Sequence, residues 1–320
     1  MGRRDIKISV VVPIFNEDGN IDKLYNELKD NLKDYQYEII FVDDGSTDNS
    51  FKMLENISIK DQKVKVVQLA KNFGQSAAFQ AGFDNAKNEI IVTIDGDLQN
   101  DPKDIPSMID YLLENDFDMV VGWRKNRHDP LFSKKIPSLI ANRIISKVLK
   151  LKIHDTGCSL KVFKKSILED LNLYGQMHRF IPYLIYSRGY SIGEVVVKHR
   201  ERYKGKSKYG FSRIINVLLD LFTVKFLNDF STNPIYVIGG LSFFSFLLGI
   251  LSFLVLVLMK IFKNVDMTGN PLLLISVFLF LISIQLLMIG LLSEIIIRTY
   301  FETTRKNTYR IKRFIGDDKK

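Results

Sequence analysis

Two long stretches without a charged side chain constrain this sequence more than anything else in it. Residues 235–259 and 271–293 contain no Asp, Glu, Lys or Arg, over 25 and 23 positions. A helix of about 20 apolar residues crosses ~30 Å of hydrocarbon, so each stretch is long enough to span a bilayer. Two buried core helices are the competing reading, but the rest of the chain holds nothing comparable to surround them. The connector, residues 260–270, is short, so the pair reads as a hairpin with both flanks on one side. The segment beyond it carries Arg298, Arg305, Lys306, Arg310, Lys312 and Arg313, and the region before it is also basic. The positive-inside rule places both flanks in the cytoplasm, outvoting Lys260 and Lys263 in the connector.

The remainder is large enough for one sizeable domain within a chain of 320 residues. The net charge of +9 suits an anionic membrane surface, a phosphorylated substrate or nucleic acid. Nucleic acid explains the sequence less well than a membrane and an acidic pocket do. With Cys158 as the one cysteine, no intrachain disulfide can form. The apolar run after Arg3 and Arg4 is short and leads into Asn16 and Glu17 without a cleavage signal, so it reads as a first strand rather than a signal peptide. Gly2 lacks the Ser or Thr at position 6 that myristoylation needs.

The first ~125 residues alternate two patterns. Runs rich in Val and Ile, apolar almost throughout, fall at 6–15, 38–42, 64–69, 89–94 and 118–122, as in strands covered on both faces. Helical patterns lie between them at 21–32, 49–57, 75–86 and 105–114, with Ser46 and Thr47 as candidate caps of the second. The expected fold is α/β, a doubly wound, mostly parallel sheet that binds ligands beyond the carboxyl ends of its strands. Basic amphipathic patterns follow at 130–152 and 211–230, readable as core-facing or as interfacial helices.

Acidic residues fall where a ligand is expected. Asp43-Asp44-Gly45-Ser46 ends the second strand, Asp95-Gly96-Asp97-Leu98-Gln99 the fourth, and Pro13 to Glu17 the first. One such cluster alone is a solvated turn; three at one sheet edge are not. Neither G-x-G-x-x-G nor a P-loop is present. Asp95 and Asp97, with the Gln99 amide oxygen, suit a hard divalent cation, which can bridge a diphosphate and neutralise it as it leaves.

The ordered set V-V-P-I-F-N-E, V-D-D-G-S, D-G-D-L-Q, H-D-T-G-C and R-Y-K-G-K-S-K-Y-G resembles family 2 glycosyltransferases of the GT-A fold. Within them it is similar to the polyprenyl-phosphate glycosyltransferases, which include dolichyl-phosphate mannose and glucose synthases. The two spans resemble the bacterial branch acting on undecaprenyl phosphate. The resemblance covers nearly the whole chain. It implies a catalytic domain over 1–210, juxtamembrane helices over 211–234, a two-helix membrane region over 235–297 and a basic tail over 298–320. It further implies a bacterial inner-membrane protein with the catalytic domain and both termini cytoplasmic.

The same resemblance implies roles for individual residues. Pro13, Phe15 and Glu17 would line the nucleotide pocket, and Asp44 would meet the base or ribose. Asp95 would lie beside the nucleoside, with Asp97 and Gln99 holding Mg2+ or Mn2+ on the diphosphate. Arg202 and Lys208 would neutralise phosphates, with Lys206 in the same loop, and Arg124 would sit near the acceptor. Asp155 would act as a base or an orienting group. The implied reaction is inverting transfer of one sugar from a nucleotide-diphosphate sugar, UDP-linked before GDP-linked, to a polyprenyl phosphate. A processive polysaccharide synthase is the nearest rival: Gln176 to Phe180 approximates Q-x-x-R-W, with Phe180 in place of Trp. A non-catalytic membrane scaffold is the rival from another class. The sugar is not readable, and a homo-oligomer is left open. His178 reads as structural, Cys158 as a buried small apolar side chain.

Overall fold

The computed structural model describes residues 5–125, 153–168, 171–173, 175, 177–201, 234–303 and 311–315. The amphipathic stretches 130–152 and 211–230, and the loop carrying Arg202, Lys206 and Lys208, lie outside the described residues. The chain forms two compact units, Met1–Val224 with Asn307–Lys320, and Lys225–Lys306.

The first unit is built on strands β1 (Lys7–Ile14), β2 (Gln36–Asp43), β3 (Val64–Leu69), β4 (Ile90–Thr93), β5 (Met119–Trp123), β6 (Lys161–Lys164), β7 (Ile192–Val196) and β8 (Ile311–Ile315). They form one sheet in the order β7-β5-β6-β4-β1-β2-β3-β8. Helices α1 (Ile21–Leu32), α2 (Ser50–Lys60), α3 (Gln75–Asn85), α4 (Ile105–Glu114) and α5 (Ile181–Tyr186) accompany it. Strand β1 lies between β2 and β4 and is parallel to both. Val10, Val11 and Val12 are wholly buried there, as expected of a central strand covered on both faces. Helix α3 rests directly on it: a Cβ on Gly82 would lie 2.1 Å from Val11 Cγ1. The chain winds outward from β1 through β2 and β3, then returns by α3 to β4 on the other side of β1. That reversal leaves a crevice beyond the carboxyl ends of β1 and β4.

Two strands run against the rest. Strand β6 is antiparallel to both β4 and β5, between which it lies, so it begins at the edge where they end. Strand β8 pairs antiparallel with β3, Ile315 opposite Val66 and Phe314 opposite Val67. The segment read from sequence as part of a basic tail thus supplies an edge strand. Helix α2 starts at Ser50 after Asn49, not after Ser46 or Thr47. Those two residues instead tie the β2 loop to the β1 loop: Asn16 N donates to Ser46 Oγ at 2.9 Å, and Thr47 N donates to Asn16 Oδ1 at 2.8 Å.

The second unit is a hairpin of α6 (Pro234–Lys263) and α7 (Pro271–Thr303). Both contain apolar segments long enough to cross a membrane, with mean hydropathy 2.7 and 2.8. Serines join them: Ser242 Oγ donates to Ser283 O at 2.8 Å and Ser245 Oγ to Leu279 O at 2.9 Å. Gly249 lets the ring of Phe280 approach, since a Cβ there would lie 3.0 Å from it. The outer faces expose Phe243, Leu247, Phe278 and Leu281. An apolar surface of that extent is stable against lipid and not against water.

Candidate functional site

At the end of β1, Asn16 takes a left-handed conformation (φ +54°) that turns the chain out of the sheet. Glu17 N donates to Ser50 Oγ at 2.9 Å, and Glu17 Oε2 accepts from Asn20 Nδ2 at 2.6 Å. Pro13 and Phe15 are half-buried beside it. At the end of β2, Gly45 has φ +72°, and a Cβ there would lie 2.5 Å from the Lys71 carbonyl carbon. Only glycine permits that approach, and it brings the 71–74 loop against Asp44. Asp44 Oδ1 accepts from Phe73 N at 2.7 Å and Oδ2 from Gly74 N at 2.9 Å. Its carboxyl therefore shapes the entry to α3, beyond the contact with base or ribose expected of it. Burial pushes it up to about 6 against those two bonds, with Asp43 adding to the rise.

Gly96 sits over Ile14, where a Cβ would lie 2.5 Å from Cδ1, so the Asp95–Gly96–Asp97 turn rests on the end of β1. Leu98 follows at φ +62°. Gln99 N donates to Asp97 Oδ1 at 3.2 Å. Gln75, the first residue of α3, donates from Nε2 to Asp95 Oδ1 at 2.7 Å; nothing in its sequence context had marked it. Burial, and then the neighbouring Asp97 carboxylate, push Asp95 up to about 6. Among the described residues, no three His, Cys, Asp or Glu side chains cluster to hold a cation. The pair Asp95 and Asp97 still fits Mg2+ or Mn2+: such ions bind through one or two carboxylates and take their other ligands from water and a bound diphosphate. Two carboxyls crowded until one resists ionising are a site short of positive charge.

Because β6 is antiparallel, the loop entering it arrives at the same edge. It carries Asp155, buried, gripping Arg124 at the end of β5. Arg124 Nε donates to Asp155 Oδ2 at 2.7 Å and Nη2 to Oδ1 at 3.0 Å. Against the effect of burial, the Asp155 carboxylate, with Asp95 adding to it, holds the guanidinium pKa above its ordinary value. Glu194 on β7 fixes this loop by accepting from His154 N at 2.8 Å and Asp155 N at 3.1 Å through Oε1. Trp123 stacks on His154 with ring centroids 4.2 Å apart. Lys161, buried on β6, donates to Cys158 O, and burial lowers its pKa. Cys158 is wholly buried, and burial pushes its thiol up to about 11, which leaves no thiolate for nucleophilic work. His178 is structural, its Nδ1 2.9 Å from Ser76 Oγ. Glu194 and Lys161 had no motif to betray them; strands β7, parallel to β5, and β6, antiparallel to it, place them here.

Asn100 stitches the two loops by donating from Nδ2 to Ser159 Oγ at 2.7 Å. Asn100 also forms a bridge with His199, and Arg200 N donates to Gln99 O at 2.8 Å. Arg200 is then held by Glu27 at 2.7 Å and Asp101 at 2.5 Å. Arg200, two residues before Arg202, is thus tied to the backbone of the Asp95–Gln99 turn.

The model of the family described as glycosyl transferase family 2 matches residues 9–171. A dodecaprenyl-phosphate galacturonate synthase of Rhizobium johnstonii is 41% identical over 319 residues, covering 98% of this chain and 94% of that protein. An undecaprenyl-phosphate 4-deoxy-4-formamido-L-arabinose transferase of Proteus mirabilis is 34% identical, covering 97% and 94%. Among solved structures, a glucosyl-3-phosphoglycerate synthase from Mycobacterium tuberculosis, in complex with Mn2+, UDP and phosphoglyceric acid, is similar with a TM-score of 0.52. It is 20% identical, with 68% of this chain and 78% of that one covered, a likeness of fold.

Proposed function

We propose that this chain, which belongs to glycosyl transferase family 2, transfers one sugar from a UDP-sugar to a polyprenyl phosphate with inversion at the anomeric carbon. The observation that carries the reading is the meeting of a carboxylate pair, Asp95 and Asp97, with the clamped guanidinium of Arg124 at one sheet edge. Such a site has separate provision for a cation-bound diphosphate and for a second phosphate. The nature of the acceptor is supported by the names of the two relatives, matched end to end, and by a hairpin long and apolar enough to reach the lipid. The donor is supported by the M. tuberculosis synthase of the same fold, crystallised with UDP and Mn2+.

Asp97, with Gln99 and Asp95, would hold Mg2+ or Mn2+, which when bound neutralises charge on the departing diphosphate. Pro13, Phe15, Glu17 and Asp44 belong to the loops that frame the nucleotide. Arg124, oriented by Asp155, would draw the acceptor phosphate with Arg202, Lys206 and Lys208. An acceptor oxygen attacks the anomeric carbon; the bond to the diphosphate oxygen breaks, and the nucleoside diphosphate leaves with that electron pair. The second ionisation of a phosphate lies near ~6, so the acceptor needs no strong base. Rate then comes from positioning and charge neutralisation. Catalytic domain and both termini would face the cytoplasm.

The test is Asp97→Asn assayed with UDP-sugars and a short polyprenyl phosphate. Transfer should fall by roughly a hundredfold or more, the scale of losing a few kcal/mol of charge stabilisation. Full activity in a folded variant would remove the metal role. A product carrying a polymer rather than one sugar would replace this reading with processive synthesis.

A further inference from the structure

Near the middle of α7 lies a polar side chain that no hydrogen bond among the described residues serves. Five serines within the spans are served: Ser242, Ser245, Ser252 and Ser276 donate to backbone carbonyls, and Ser283 pairs with Ser242. Gln285 is exposed, and no hydrogen bond from it exists among the described residues. It follows Ser283, which is buried in the seam, by two residues. At ~100° per residue that turns it ~200° around α7, away from α6. The seam bonds fix this rotation, so Gln285 cannot reach α6 without breaking them.

Its depth makes the exposure costly. Gln285 is 14 residues beyond Pro271 and 8 before Ser293, about 21 Å and 12 Å along the axis. That is inside a hydrocarbon layer ~30 Å thick. An amide there with no partner loses the hydrogen bonds that water would give it. Its neighbours on the helix surface, Phe278, Leu281, Ile282, Met288, Ile289 and Leu292, are all exposed and apolar, so none can serve it.

We propose that this outward face of α7 is the contact surface for a second copy of the chain, with the two Gln285 amides bonded to each other. An amide donates through its NH2 and accepts through its oxygen, so two identical amides satisfy one another reciprocally. Two copies inserted with the same topology carry Gln285 at the same depth. A two-fold axis along the membrane normal then brings residue 285 to residue 285, the self-complementary contact of an isologous dimer. A different membrane protein would need a polar group at that same depth. The lipid interior offers none. The inference rests on the membrane reading of the hairpin and is independent of sugar transfer.

The experiment uses the full chain in liposomes, labelled with a donor or an acceptor fluorophore and diluted with lipid. Gln285→Leu keeps the span and removes the amide; it should weaken association by about threefold to tenfold, the range of interhelical hydrogen bonds in membranes. Gln285→Asn should restore most of the loss. Oxidation of Gln285→Cys should give a disulfide-linked dimer, whereas Ile284→Cys, ~100° around the helix, should not. Association of Gln285→Leu at wild-type strength would overturn the proposal. So would equal cross-linking at 284 and 285, or cross-linking of 285 only to a different protein.

Discussion

Of the two parts open to Asp155, base or orienting group, its contacts favour the second. A carboxylate beside an acceptor site invites the role of general base. Here both its oxygens are engaged by the Arg124 guanidinium, and its own backbone N–H is held by Glu194. A carboxylate in a bidentate pair with an arginine is a poor proton acceptor, because protonation would strand the buried cation. Asp155 is better suited to aiming Arg124. The two roles separate in Asp155→Asn. An orienting residue leaves a kcat/KM profile of unchanged shape against pH, lowered by roughly ten- to a hundredfold at every point, with the loss concentrated in KM for the lipid phosphate. A general base removes the acidic limb and lowers kcat instead. The variant should also lose stability, by up to about 3 kcal/mol, since the partner cation is left almost buried; a melt read beside the kinetics would show both effects.

At the scale of elements, what the sequence shows and what it hides divide between the early βα units and the strands added later in the chain. The βα units of the first ~125 residues announce themselves by alternating periods, and α1 and α4 span the stretches read from the apolar pattern, 21–32 and 105–114. The Asp95–Gln99 turn is legible too, since strand ends in a doubly wound sheet bind ligands. Strands β6, β7 and β8 carry no comparable signal. They are four or five residues long, and each joins its neighbours from far along the chain. Glu194 and Lys161 depend on those pairings, and so does the meeting of Asp155 with Arg124, two residues the motifs had marked separately. Gln75 escaped for another reason: the capping end of a helix gives no hint that its side chain will turn onto Asp95. The least expected of these elements yields the clearest stability prediction. Strand β8 covers the edge of β3, and an uncovered edge is a template for pairing with other chains. A chain ending at residue 310 should lose about 2 kcal/mol of ladder hydrogen bonding. It should melt roughly 4–8 °C lower and self-associate in detergent. An unchanged melting temperature would mean that β8 contributes nothing to the sheet.

For the whole molecule, the return of the chain to its first unit after the hairpin has a topological consequence. The first unit contains residues on both sides of the hairpin, Met1–Val224 and Asn307–Lys320. Two spans joined by a short connector return the chain to the face it left, so this division and the even number of spans agree. The connector is well made for a tight reversal. Asp266 accepts from Thr268 N at 3.0 Å and from its hydroxyl at 2.8 Å, and Asn270 Oδ1 accepts from Leu272 N at 3.0 Å at the start of α7. Labelling of a single introduced cysteine tests the arrangement. Cys158 is silent in such an experiment, being wholly buried with its thiol pushed up to about 11, so no background substitution in the site is needed. On intact cells, a membrane-impermeant maleimide should label Thr268→Cys. It should leave Lys320→Cys unlabelled until the membrane is opened. The positive charge of the tail predicts the same sidedness from a different cause, retention of Lys and Arg on the cytoplasmic face. Labelling of position 320 on intact cells, with 268 protected, would invert the molecule and separate its nucleotide site from the cytoplasmic supply of activated sugar.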